Sequence, residues 1–185
     1  MTWVREHGIP APVVHGARGR DLVMERVSGP TLLEDLEQRP WKLFGHAKLL
    51  ASLQRELNAL DAPDWFPERP GVPAGSKVLH FDLHPMNVML GENGPVIIDW
   101  TNFGRGPASF DAAITVVLMS TFAVEGLRDR LAQRLLVRAF SRSRGRSLVQ
   151  ESLADACRYR LQDRNITDTE RERVARMLRS WTVHT

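Results

Sequence analysis

Residues 108–119, Ala-Ser-Phe-Asp-Ala-Ala-Ile-Thr-Val-Val-Leu-Met, are apolar on nearly every face when wound as a helix. Leaving an aliphatic side chain in water forgoes roughly 1.5–3 kcal/mol of burial, so such a helix belongs inside a core and not on a surface. It demands partners on all sides, and the rest of the chain must supply them.

The flanking sequence does so. Leu43, Phe44, Ala47, Leu50, Leu53, Leu57 and Leu60 recur at helical period across residues 41–60. Further amphipathic helices are predicted near 124–140, 147–161 and 167–181, the last opened by Thr167-Asp168. At the start, residues 1–7 read as the last turns of a helix closed by Gly8, and Val13-Val14-His15 as a short strand. A second strand is predicted over 20–27, with Leu22 and Met24 alternating against Asp21, Val23 and Glu25. Thr31 and Glu34 have the spacing of a capping box for a helix running to Glu37. Pro63, Pro67, Pro70 and Pro73 make 61–76 a loop. Lys77–Phe81, Asn87–Leu90 and Pro95–Trp100 are β-prone, the last two joined by a hairpin turn at Gly91-Glu92-Asn93-Gly94. The order predicts an α+β fold, mainly helical, in one large domain.

Composition narrows the class. With 185 residues, 43% hydrophobic and 25% charged, the chain is neither disordered nor fibrous. No apolar run approaches the roughly 20 residues of a membrane span, and Met1 to Pro12 lacks a leader-like apolar stretch. A single cysteine, Cys157, leaves neither an internal disulfide nor a multi-cysteine metal site. The chain reads as cytoplasmic, with no membrane partner. Residues 1–127 carry 11 Lys+Arg against 15 Asp+Glu, a net −4, and residues 128–185 carry 14 against 7, a net +7. Nucleic acid is still not the expected partner. Arg128, Arg130, Arg134 and Arg138 alternate with Leu127, Leu131, Leu135 and Val137 as the solvated face of a helix. Arg142, Arg144 and Arg146 read as a loop after that helix, with no aromatic residues between them to stack bases.

The stretch richest in chemistry is His80-Phe81-Asp82-Leu83-His84-Pro85-Met86-Asn87, followed by the hairpin and Ile97-Ile98-Asp99-Trp100. Hairpin return brings Asn87 and Asp99 toward one point, with Asp82 a little further round the loop. An amide and a carboxylate are oxygen donors suited to Mg2+, which keeps waters and shares phosphate oxygens with a nucleotide. A separate carboxylate can take the proton of an attacking hydroxyl, so the set suits phosphoryl transfer. Each residue also has a plainer reading. Asp82 and His84 can be turn-formers, His80 a core histidine, and Asn87 a strand-edge cap. On an extended strand His80, Asp82 and His84 would share one face, which suits zinc and a metal-dependent hydrolase.

His80-x-Asp82-x-x-x-x-Asn87 with a following Asp99 resembles the catalytic loop and metal-binding aspartate of protein-kinase-like enzymes. The full string HFDLHPMNVML…GPVIIDW is most similar to the aminoglycoside phosphotransferase and choline kinase branch. Gly106 to Ala113, with Asp111 before the buried helix, resembles a further family segment, and Leu22 to Gly29 resembles the family's hinge strand and linker. The resemblance implies an ATP-dependent (or GTP-dependent) kinase of a small hydroxylated substrate. It implies Asp82 as general base, Asn87 and Asp99 as Mg2+ ligands, and His80 as loop support. It further implies Asp111 as a brace of the loop and backbone groups of Glu25 and Val27 as the adenine contacts. It divides the chain into 1–29, a remnant of the amino-terminal lobe with the end of its helix and the hinge, and 30–185, the carboxy-terminal lobe. That lobe holds the catalytic loop at 80–87, the metal-binding strand end at 95–100 and a helical substrate-side tail at 108–185. Most of the amino-terminal lobe is expected to be missing: of the three lysines, Lys42 and Lys48 follow the hinge and Lys77 precedes the catalytic strand. The chain alone is therefore expected to bind MgATP weakly and turn over little, and a catalytically silent binding module is the alternative. From the tail's positive charge, a neutral or anionic acceptor is expected over a cationic one.

Overall fold

The computed structural model describes residues 1–182 apart from Arg20. The chain is mainly helical, 55% helix and 15% strand. Helix α1, Thr2–Glu6, ends at Gly8, whose φ of +86° lets the chain reverse toward Pro10. Strands β1, Val14–Arg18, and β2, Asp21–Met24, pair antiparallel, with a bulge between Val14 and Gly16. The strand expected over 20–27 is shorter, and its first residue, Arg20, lies outside the described residues. Its alternation does not bury one face: Leu22 and Met24 are 42% and 44% exposed.

Helix α2, Leu32–Gln38, opens on the capping box: the Thr31 hydroxyl accepts from Glu34 N at 3.1 Å, and Glu34 Oε2 accepts from Thr31 N at 2.7 Å. After a single 3₁₀ turn at Pro40–Lys42 comes the long α3, Leu43–Ala59, whose apolar stripe is buried except at Phe44. The proline-rich loop leads to β3, Lys77–Leu79, and then to the hairpin of β4, Val88–Gly91, and β5, Gly94–Ile97. Strand β6, Gly104–Gly106, pairs with β3 and has no β-prone residue to announce it. Its glycines are there for room. A Cβ at Gly106 would come within 2.7 Å of Leu79 Cδ1, and one at Gly104 within 2.5 Å of the Pro67 carbonyl oxygen.

Helix α4, Ala108–Thr121, is the apolar segment and is surrounded as its composition requires. Around it pack α5, Gly126–Arg144, α6, Arg146–Glu151, α7, Leu153–Leu161, and α8, Asp168–Thr182. Two expectations are corrected here. The helix predicted over 147–161 is broken at the buried Ser152, whose hydroxyl lies 2.7 Å from that of Ser109 on α4. Arg142, Arg144 and Arg146 are not in a loop. Arg142 and Arg144 form the last turn of α5, and Arg146 opens α6. Arg144 is buried, because its guanidinium finds the side-chain amide oxygens of Gln54 and Asn58 on α3, which would otherwise be unpaired in the core. Val4, Ile9 and Ala11 join the same core as Leu32, Leu50 and Val88. Among the described residues no helix is long and apolar enough to cross a membrane.

Candidate active site

The segment between β3 and β4 is held by bonds to its own backbone. Phe81 has φ +65°, a left-handed value rare for an aromatic residue, and it turns the chain sharply out of β3. A 3₁₀ turn at Pro85–Asn87 follows. His84 caps it, its Nδ1 accepting from Met86 N at 3.3 Å, and Pro85 sits where no N–H is needed. His84 Nε2 lies 3.4 Å from Asp82 Oδ1 and 3.4 Å from Asn87 Nδ2. Asn87 closes the loop by donating Nδ2 to the Asp82 carbonyl at 2.8 Å.

Across the hairpin, Ile98 N donates to the Asn87 carbonyl at 3.0 Å, one step past the Val88–Ile97 pair. Asp99 comes next, with φ +58°, and its Oδ1 accepts from the Thr101 hydroxyl at 2.7 Å. The hairpin thus brings Asn87 and Asp99 to neighbouring positions at one end of the ladder. His80 lies under this junction. It is fully buried, edge-on to Trp100, and its Nε2 donates to the Ile98 carbonyl at 3.1 Å. Burial holds its pKa below the ordinary histidine value, overriding the opposing pull of Asp111, Asp82 and Asp99.

Asp111, in the first turn of α4, is fully buried and takes the loop from below. Its Oδ1 accepts from His80 N at 3.2 Å and Phe81 N at 2.9 Å. Its Oδ2 accepts from Asn58 Nδ2 at 2.9 Å. Behind these stand residues that the sequence reasoning missed: Gln54 and Asn58 on α3, Thr115 on α4 and Arg144. Thr115 donates its hydroxyl to the Leu83 carbonyl at 2.8 Å. The available signal was the polar pair Gln54 and Asn58, one helical turn apart inside the apolar stripe of α3.

Glu25 and Val27 lie elsewhere, on the exposed N-terminal segment. Glu25 N donates to the Val13 carbonyl at 2.7 Å. The linker after them runs over the hairpin: Leu90 N donates to the Pro30 carbonyl at 2.8 Å, and Thr31 bridges Met89. The linker passes so close that a Cβ at Gly29 would sit 2.1 Å from the Leu90 carbonyl oxygen.

A cavity of about 1280 Å³ opens on the other side of the loop, between α2, α4, α5 and the α7–α8 connection. Asp82 and His84 are on its wall, whereas Asn87 and Asp99 are not. The zinc arrangement is not formed. With Phe81 left-handed and the 3₁₀ turn following, residues 80–84 are not an extended strand, and His80 is turned into the core. Among the described residues no group of three or more His, Cys, Asp or Glu could hold a metal.

The architecture is the protein-kinase-like one. Residues 71–148 match the family described as Phosphotransferase enzyme family (APH). The crystal structure of an aminoglycoside-3'-phosphotransferase of type VIII is similar with a TM-score of 0.57 at 21% identity, over 97% of this chain and 77% of that chain. A structure described as amicoumacin kinase hAmiN in complex with AMP-PNP, Ca2+ and Ami aligns with a TM-score of 0.47 at 11% identity, over 100% of this chain and 75% of that chain. No curated protein sequence matches. The resemblance to the aminoglycoside phosphotransferase family thus holds, and the family match over residues 71–148 supports a phosphotransferase, that is a kinase, function.

Proposed function

We propose that the chain transfers the γ-phosphoryl group of ATP or GTP to the hydroxyl of a small molecule held in the 1280 Å³ cavity, with Asp82 accepting the hydroxyl proton. One observation carries the reading: Asp82 is the acid that faces the cavity from the same loop that ends in Asn87, beside Asp99. In this reading residues 1–29 form the hinge side of the nucleotide site and residues 30–185 the lobe that holds loop, hairpin and acceptor. Glu25 has spent its N–H on Val13, which leaves its carbonyl, and the N–H of Val27 two residues on, to meet an adenine edge.

The donor chemistry of Asn87 and Asp99 fits magnesium. The Asn87 amide commits Nδ2 to the loop and keeps its oxygen, and Asp99 commits Oδ1 to Thr101 and keeps Oδ2. Both free ligands are hard oxygens. Bound between them and a nucleotide, Mg2+ would supply charge neutralisation at the phosphate oxygens. The remaining work falls to the chain: Asp82 orients and deprotonates the hydroxyl, with His84 Nε2 3.4 Å from its carboxylate.

The cavity wall changes the expectation for the acceptor. Its acids are Glu37, Asp82, Glu125, Asp129, Asp163 and Glu170, against Arg69, Arg128 and Arg160. Arg160 is already paired, at 2.6 Å to Asp163 and 2.7 Å to Glu170. Most of the tail's arginines are exposed and lie outside this wall, so an alcohol carrying an amine suits the wall better than an anionic one. The silent-module reading has one observation in its favour. Lys42 pairs with Asp35 at 3.3 Å, Lys77 with Asp61 at 2.7 Å, and Lys48 is exposed on α3, so no lysine stands beside Asp99 to grip a phosphate. Nucleotide consumption with a panel of amino, neutral and acidic alcohols, in wild type and Asp82→Asn, separates the readings. Turnover lost in the variant supports the kinase; identical behaviour of the two proteins supports the silent module.

A further inference from the structure

Asp111 grips two loop amides, but its own setting depends on which end of two primary amides it meets. Asn58 uses both hydrogens of Nδ2, on Asp111 Oδ2 at 2.9 Å and the Val78 carbonyl at 2.9 Å. Gln54 uses both hydrogens of Nε2, on the Asp111 carbonyl at 2.9 Å and Thr115 Oγ1 at 2.9 Å. Each amide oxygen then points to the one partner left. Arg144 donates Nε to Gln54 Oε1 at 2.9 Å and Nη2 to Asn58 Oδ1 at 2.8 Å. A guanidinium has donors only, so it fixes the orientation of both amides. Turned end for end, Asn58 would present an oxygen to the Asp111 carboxylate and lose the grip.

We propose that Arg144 is a positioning residue: through Gln54 and Asn58 it orients Asp111, which holds the His80–Phe81 backbone and with it Asp82. The arrangement explains why a charged side chain is buried at the end of α5, where burial works against its charge and Asp111 is the carboxylate that favours it. It also explains how Phe81 keeps a left-handed backbone, a conformation that persists only when its surroundings over-determine it. The kinetic consequence rests on the phosphotransferase reading; the structural consequence does not.

The test uses the full chain as wild type, Arg144→Met and Arg144→Lys, read by amide hydrogen exchange and, where turnover is measurable, by kinetics. Arg144→Met is expected to raise exchange at the His80 and Phe81 amides at least tenfold more than at Val117, inside α4. Arg144→Lys, which keeps the charge and a donor, is expected to fall between and serves where the methionine variant does not fold. Kinetically, kcat is expected to drop about tenfold with KM for nucleotide and acceptor unchanged. Equal changes at His80, Phe81 and Val117, or none, overturn the proposal. A wild type without turnover defeats the kinase reading alone and leaves the exchange measurement to decide this one.

Discussion

Asp111 Oδ1 accepts the Phe81 N–H at 2.9 Å, and Phe81 precedes Asp82 with its backbone in the left-handed region. Among the described residues only one other non-glycine position, Asp99, has a positive φ. One strained backbone thus immediately precedes the loop carboxylate, and the other belongs to the hairpin carboxylate itself. Such strain, on the order of 1–3 kcal/mol at each position, is kept only where the neighbouring structure enforces it.

Asp82→Asn is expected to abolish most turnover, by the ~10²–10⁴-fold a positioned base contributes. Asp82 is partly exposed, with His84 Nε2 3.4 Å from its carboxylate, so the urea unfolding free energy is expected to stay within about 0.5 kcal/mol of wild type. A variant that unfolds early would mean that the residue is structural.

Gly29 combines φ +128° with a Cβ position 2.1 Å from the Leu90 carbonyl oxygen. Gly29→Ala must push the linker off β4 and is expected to cost ~1–3 kcal/mol. If the linker carries the adenine contacts, nucleotide-induced stabilisation in thermal melts falls as well. Unchanged melting with and without nucleotide would show that the close approach has no role.

Asp35 is buried between α2 and α3, with His46 Nε2 at 2.7 Å, Arg39 Nη1 at 2.8 Å and Lys42 Nζ at 3.3 Å. The His46 hydrogen bond is the largest cause of a pKa held below the usual aspartate value, with burial opposing it and Lys42 and Arg39 adding to it. A depressed folded-state pKa gives stability that is fully present above the unfolded value, about 3.9, and lost as pH falls through the folded one. Urea midpoints measured from pH 6 down to pH 2.5 are expected to fall less steeply in Asp35→Asn than in wild type. Parallel curves would contradict this assignment.

Cys157 is fully buried, and burial pushes its thiol up to about 11. At pH 8 it stays a thiol, and the thiolate is the reactive form. Labelling by an aromatic disulfide reagent is expected to be absent in the native protein and to appear with unfolding in urea. Prompt labelling without denaturant would disprove the burial.

What the sequence revealed follows from what periodicity and spacing encode. The α4 segment and the β4–β5 hairpin were legible because an all-apolar run has one destination and Gly-Glu-Asn-Gly closes a hairpin. The network behind the loop was not, because arginines spaced by Ser and Gly, as Arg142, Arg144 and Arg146 are, read as a solvent-facing loop after the helix. Arg134, Arg138 and Arg142 are exposed, whereas Arg144 on the same helix is buried, and only the acceptors on α3 distinguish it. Strand β6 escaped for the opposite reason, since Gly-Arg-Gly pairs through fit and not through propensity. The character of the cavity wall was not legible either, because a charge summed over the tail says nothing about which side chains line the cavity.

Helix α5 meets the cavity at Arg128, Asp129, Gln133 and Leu136 and ends at Arg144. At about 1.5 Å per residue, Gln133 and Arg144 are ~16 Å apart along the axis, beyond the ~7–10 Å within which substitutions usually couple. Under the proposed reading, substitutions on the near half of this helix are therefore expected to alter the cavity wall while leaving the Arg144 contacts of the far half in place.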